Sequence, residues 1–228
     1  SSILSDFKMK GYKTYWLSNQ GRAGEHDLTV ASMADEANVS FFGNMNWDEA
    51  KTDNIIVNKI INLSMRPKKE MFLLHLMGSH ADYENRYEIK NALYKNPESI
   101  IQEYDNSIHY TDLIIKEIFK QFKGKKLLLF YISDHAEIVN EKEYGHGFFP
   151  SFKDEYDVPF VVYSSIKNKR LDFLLKENKK CHLNMENFND IVEYVSGINQ
   201  KKNFSFSSDV IAVEPKNVLN YNNLQYFK

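Results

Sequence analysis

Apolar and polar positions switch between two periods along this chain. Ile3, Leu4, Phe7 and Met9 recur at helical spacing, and Gly11 predicts the stop of a first helix. Residues 12–17, rich in aromatics and Thr, predict a strand. Asp27 predicts the cap of a helix reaching about Ala37, and residues 39–42 predict the next strand. The helical period returns over 48–63, with Ile55, Ile56, Ile60 and Ile61 on one side. The apolar run 71–77 predicts a buried strand that ends at Gly78-Ser79-His80. A polar, Tyr-rich loop over 81–96 leads to a long helix predicted from Pro97 to Phe122, with Gly124 as its stop. A second apolar run, 127–132, predicts another buried strand, and 136–157 a long loop containing Gly and Phe. Long loops within compact domains are often functional. A strand over 159–163, a helix over 187–195 ended by Gly197 and a weak strand signal at 210–213 complete the pattern.

Alternating strands and helices place the chain in the α/β class. The expected architecture is an α/β/α sandwich, a mainly parallel central sheet with helices on both faces. Neither an internal repeat nor a clear linker interrupts residues 1–228, so one domain is expected.

Composition narrows the function classes. With 43% hydrophobic residues, the 228-residue chain can bury a substantial core. A net charge of −2, from 29 basic and 31 acidic residues, provides no electrostatic footprint for nucleic acid. Cys181 is the single cysteine, which excludes an intrachain disulfide and a cysteine-built zinc cage. No stretch approaches the roughly 18 apolar residues of a spanning helix. No signal peptide opens the chain, and it begins at Ser1 rather than Met, as expected of a piece of a longer protein.

The candidate chemistry gathers where predicted strands end. Ser133-Asp134-His135-Ala136-Glu137 follows the strand 127–132 directly. In open α/β sheets ligands bind at that carboxyl edge. A carboxylate and an imidazole side by side suit zinc or a similar divalent ion. An isolated Asp-His pair fits a solvated loop better, but three more histidines lie in or beside strand exits. His75 lies inside the strand 71–77, His80 follows it, and His146 stands between Gly145 and Gly147. His75 also fits a hydrogen-bonded core histidine, and His80 and His146 also fit a surface loop. A metal with imidazoles nearby serves phosphoryl or sulfuryl transfer, where a His can protonate the leaving oxygen. Arg86 has the chemistry to pair with a phosphate, or with a surface carboxylate.

Five segments in order carry a family resemblance: Gly11 to Gln20, Leu74 to His80, Tyr104 to Asp112, Ser133 to Glu137, and Gly145 to Gly147. Together they resemble the periplasmic catalytic domain of bacterial phosphoethanolamine transferases, members of the alkaline phosphatase/sulfatase superfamily. The likeness covers most of residues 1–163. The stretches Tyr15-Trp16-Leu17-Ser18-Asn19-Gln20 and Gly24-Glu25-His26-Asp27 look closer to the branch that modifies core heptose than to the lipid A branch.

The resemblance implies a zinc-dependent, two-step transfer. A Thr nucleophile takes phosphoethanolamine from phosphatidylethanolamine and passes it to lipopolysaccharide, at core heptose or lipid A, or to another envelope acceptor. It implies zinc ligands at Asp134 and His135, phosphoryl-side catalytic groups at His80 and His146, and substrate contacts at His75, Asn19 and Gln20. It also implies a membrane-anchored parent in the bacterial inner membrane, with this domain in the periplasm. A sulfatase, phosphatase or phosphoglycerol transferase of the same superfamily is the alternative enzyme reading. A non-catalytic remnant that binds envelope lipids or a partner is the alternative of another class.

The sequence departs from the family pattern at two points. Ala136 stands where the family has Gly. The family's N-terminal catalytic portion, with a Glu zinc ligand and the Thr nucleophile, has no counterpart in these residues. Thr14 falls within a predicted strand and is not read as the nucleophile. The chain is therefore expected to be the C-terminal part of the catalytic domain, with an incomplete zinc site and no turnover alone.

Overall fold

The computed structural model describes residues 2–22, 27–44, 51–63, 69–148, 151–178, 183–200, 204, 210–214 and 217–227. The segment Gly24-Glu25-His26 and Cys181 lie outside the described residues. The chain divides into two units, Ser1–Lys123 and Gly124–Lys228.

The first unit is a three-layer sandwich. Helix α1 (Ile3–Met9) leads into strand β1 (Lys13–Ser18), followed by α2 (Asp27–Ala34), β2 (Val39–Phe42), α3 (Asn54–Ile61), β3 (Glu70–His75) and α4 (Ile100–Gln121). The sheet order is β2-β1-β3 and both pairings are parallel, with Ser18 opposite Phe42 on one side and His75 on the other. Side-chain alternation along the strands feeds the two faces. Leu17, Phe41, Phe72 and Leu74 pack with Ile56, Ile60, Tyr110 and Ile114 of α3 and α4. Trp16, Phe42, Met71 and Leu73 pack on the opposite face with Leu4 and Ala34 of α1 and α2. Burial on both faces is why β1 and β3 read as continuous apolar runs.

Ser99 caps α4, its side chain accepting from the Gln102 N–H at 3.3 Å, so the helix begins at Ile100 rather than at the predicted Pro97. Buried Asn106 bonds both the N–H and the carbonyl of Tyr94 at 2.9 Å and fastens the preceding loop onto this helix.

In the second unit β4 (Leu128–Ile132) pairs antiparallel with β7 (Phe160–Ser164). Between them lie the two-residue strands β5 (Ile138–Val139) and β6 (Tyr144–Gly145) and a 3₁₀ turn at Lys153–Glu155. Helices α5 (Lys169–Asn178) and α6 (Phe188–Ser196) bring Leu171, Leu174, Ile191 and Val195 onto Leu128, Phe130, Phe160 and Val162. Strands β8 (Val210–Glu214) and β9 (Asn217–Asn220) form a separate antiparallel pair. Parallel pairing thus holds for the first unit's sheet, while β4–β7 returns on itself through the long loop. No helix among the described residues is long and apolar enough to cross a membrane.

Candidate metal centre

The Ser133-Asp134-His135-Ala136-Glu137 segment leaves β4, and the short β5–β6 ladder turns the chain back so that His146 meets it. One donor atom from each of His135, Glu137 and His146 falls within 4.8 Å of the others. The His135 and His146 rings face each other with centroids 3.9 Å apart. His146 Nδ1 lies 3.2 Å from Glu137 Oε1, and His135 Nδ1 lies 3.1 Å from the Ala136 carbonyl oxygen. The Ala136 carbonyl oxygen only accepts, so its contact puts the His135 proton on Nδ1 and leaves Nε2 as the acceptor nitrogen of that ring.

Asp134 lies outside this three-residue group. Its side chain is 85% exposed, with Oδ2 3.9 Å from His135 Nε2. Oδ1 accepts from the His135 N–H at 3.1 Å. Ala136, where the family has Gly, carries no backbone strain: Asp82 is the one non-glycine at positive φ among the described residues. Gly145 (φ +117°) and Gly147 (φ +80°), which bracket His146, do need the freedom of glycine.

Glu155 organises the loop. Its carboxylate accepts from the N–H groups of Gly147 (2.6 Å), Phe148 (3.0 Å) and Phe152 (2.9 Å). Its carbonyl accepts from the Ala136 N–H at 3.0 Å.

In the first unit the predicted residues gather at the carboxyl edge of the sheet. Ser18 Oγ lies 3.1 Å from His75 Nδ1, and the Asn19 N–H donates to the His75 carbonyl at 2.9 Å. Gln20 Nε2 donates to the Leu76 carbonyl at 3.0 Å. Asn19 is wholly buried, and its Nδ2 donates to Asp53 Oδ1 and to the Lys51 carbonyl, both at 2.9 Å. Asp53 also accepts from the N–H groups of Met77 and Gly78 at 2.9 Å, so it holds the start of the Gly78-Ser79-His80 turn. Burial raises the Asp53 pKa above the ordinary carboxylate value, against the lowering effect of those N–H donors.

The guanidinium of Arg86 is buried, with Nε donating to the His80 carbonyl at 3.0 Å and Nη2 to that of Ala81 at 2.9 Å. Burial lowers the Arg86 pKa, opposed by Asp82, Asp53 and Glu84. The His80 ring places Nδ1 3.2 Å from the Ala81 carbonyl. Asn19 Oδ1 and Ser79 Oγ are buried with no hydrogen-bond partner among the described residues. Thr14 sits inside β1, its hydroxyl 3.1 Å from Asn38 Oδ1.

The structure thus brings His135 together with His146 in one unit, and His75 with Asn19 and Gln20 in the other. Sequence reasoning did not assign Glu137, Glu155 or Asp53. Glu137 was visible as the last residue of the motif; Asp53 and Glu155 act on backbone groups and leave no side-chain pattern.

The family model for sulfatases matches residues 1–198. The chain belongs to the sulfatase family. The resemblance to phosphoethanolamine transferases is borne out by named relatives of this sulfatase-family chain. It is 35% identical over 130 residues to the Kdo(2)-lipid A phosphoethanolamine 7''-transferase of Salmonella typhimurium, covering 50% of this chain and 23% of that protein. It is 28% identical over 170 residues to the phosphoethanolamine transferase OpgE of Escherichia coli, covering 68% of this chain and 31% of that protein. The chain therefore spans between about a quarter and a third of these relatives' lengths. Its fold matches the crystal structure of the C-terminal periplasmic domain of Escherichia coli EptC in complex with zinc. The TM-score is 0.76 at 18% identity, over 99% of this chain and 73% of that one.

Proposed function

We propose that this chain is part of a zinc-dependent phosphoethanolamine transferase, a single catalytic domain on the periplasmic side of a bacterial inner-membrane protein. The donor is phosphatidylethanolamine, and the acceptor is lipopolysaccharide or another envelope molecule. The observation that carries the reading is the His135–Glu137–His146 group, at the end of the strand that bears the family motif. The names of the relatives and the zinc in the structurally similar EptC domain support it.

The donor set fits zinc. Two imidazoles and a carboxylate are the ligand count of a catalytic site that keeps a position for water or substrate. The Nδ1 contact of His135 leaves its Nε2 as the ligating nitrogen, and the 3.2 Å approach of His146 Nδ1 to Glu137 Oε1 sets those two side by side as donors. His135, Glu137 and His146 would hold the ion, with Asp134 beside His135 as a further oxygen donor. Zinc bound there supplies Lewis-acid polarisation of a phosphoryl oxygen and lowers the pKa of a bound hydroxyl.

The first unit carries the other residues that the resemblance implies. His80 serves as the proton donor to the leaving oxygen, its Nδ1–H directed at the Ala81 carbonyl. Arg86 fixes the His80 turn through two carbonyls. His75, Asn19 and Gln20 shape the substrate side of the sheet edge. None of the residues assigned above is the Thr nucleophile that the resemblance implies.

Metal analysis of the full-length protein, combined with a screen of sulfate ester, phosphate ester and phospholipid donors, tests this reading. Bound zinc with turnover of phosphatidylethanolamine alone is expected. A metal-free protein, or turnover of a sulfate ester instead, overturns it.

A further inference from the structure

Glu155 lies in a loop position with no chemistry assigned to it, yet it touches both arms of the candidate metal centre. It is buried, at 6% exposure. Its Oε1 receives two successive N–H groups, those of Gly147 and Phe148, directly after His146. Its Oε2 receives the N–H of Phe152, the reach of an acidic residue back to the start of its own 3₁₀ turn. Its main-chain carbonyl receives the N–H of Ala136, between His135 and Glu137. One residue therefore ties the backbone beside all three donors of the group.

The chemistry of the contacts explains why an acid stands here. Three N–H groups converge on one side chain, and a carboxylate offers acceptor sites on both oxygens and no donor. Gly147 adopts φ +80°, so the peptide that follows His146 has a conformation other residues resist. The charge-assisted bond from the Gly147 N–H holds that conformation. A second layer holds the turn that carries Glu155. The Lys153 N–H donates to the Gln225 carbonyl at 3.0 Å, and the Phe227 N–H donates to Asp154 Oδ2 at 2.8 Å.

We propose that Glu155 is a positioning residue of the metal centre. It sets the approach of His146 to His135 and Glu137 through the backbone of Ala136 and Gly147, without itself touching metal or substrate. This rests on reading His135, Glu137 and His146 as metal ligands. The segment 217–227, beyond the residues 1–198 matched by the sulfatase model, braces the same turn from outside.

The test compares the full-length protein with its Glu155→Ala and Glu155→Gln variants, by hydrogen exchange over residues 136–156 and by zinc affinity against a competing chelator. Glu155→Ala should speed exchange at Ala136, Gly147, Phe148 and Phe152 and weaken zinc by about tenfold to a hundredfold, the range for groups that orient ligands. Glu155→Gln keeps one acceptor oxygen and should retain part of the affinity, with the amide of Phe152 losing protection first. Unchanged exchange at these amides, or faster exchange with unchanged zinc affinity, overturns the proposal. If the wild-type protein binds no zinc, the ligand reading fails instead, and exchange alone judges Glu155: faster at these amides supports positioning, unchanged contradicts it. If Glu155→Ala does not fold, Glu155→Gln decides by the same readouts.

Discussion

The rings of His135 and His146 face each other at a centroid distance of 3.9 Å and an angle of 37°. Two imidazoles from separate segments reach this distance because the β5–β6 ladder pairs Ile138 with Gly145 and folds one segment over the other. Replacing either His by Ala removes one of three donors. Zinc affinity of the full-length protein should fall by more than about tenfold in each variant, given the three protein ligands of a catalytic site. Isothermal titration checks this; undiminished affinity in both variants contradicts the ligand assignment.

Asp53 yields a stability prediction with a definite sign. Its carboxylate collects the N–H groups of Met77 and Gly78 and the amide of Asn19. Truncation to Ala leaves buried donors without an acceptor and should cost about 3 kcal/mol. The raised pKa means that the folded state keeps a proton the unfolded chain has released. The contribution of Asp53 is therefore complete below the ordinary carboxylate value of 3.8 and declines as pH rises through the raised folded value. Denaturant titrations should show the gap between wild type and Asp53→Ala narrowing with rising pH; a widening gap refutes the assignment.

Glu36 should behave in the opposite sense. Hydrogen bonds from the Ser5 and Ser2 hydroxyls and from the Ser2 N–H lower its pKa from 4.5 to about 2. Its contribution is present above 4.5 and is lost as pH falls toward 2. The stability gap between wild type and Glu36→Gln should close across that interval, and a gap independent of pH counts against these bonds.

Much of this arrangement was legible in the sequence, and the failures have physical causes. Strands β1 and β3 are legible because helices pack on both their faces, and α4 because Tyr110, Ile114 and Ile118 recur at helical spacing. Helix α5 went unread: Leu171 and Leu174 are buried, but Lys169, Arg170, Asp172, Lys176 and Glu177 dilute the period. The β5–β6 ladder is two residues long, too short for alternation to register. His135 and His146 were found as motif residues. Their contact, and the inclusion of Glu137 rather than Asp134 in the group, depend on the turn between them. Asp53 falls inside the helix predicted over 48–63 and Glu155 inside the loop predicted over 136–157. Both bind backbone N–H groups, which every residue but Pro carries, so spacing offered no signal.

The C-terminal segment should matter to the loop it braces. Tyr221 and Tyr226 hydroxyls bond the two oxygens of Asp157, and Lys153 lies 4.8 Å and 5.5 Å from their ring centroids. The Phe227 ring packs edge-on against Phe152 at 5.0 Å. Removing residues 221–228 should speed hydrogen exchange at residues 152–157 and leave the β1–β3 amides of the first unit unchanged. Equal protection of 152–157 with and without the segment shows that it does not brace the turn.

Phosphoethanolamine transfer can be followed from a labelled donor to its acceptor. The full-length protein is reconstituted in vesicles with headgroup-labelled phosphatidylethanolamine and purified lipopolysaccharide, and the label in the lipopolysaccharide is followed by mass spectrometry. Zinc-dependent appearance of labelled phosphoethanolamine on the acceptor is expected, abolished by a chelator and by His135→Ala. Donor that stays intact with zinc present, or label that appears equally in the His135→Ala protein, contradicts zinc-dependent phosphoethanolamine transfer by this protein.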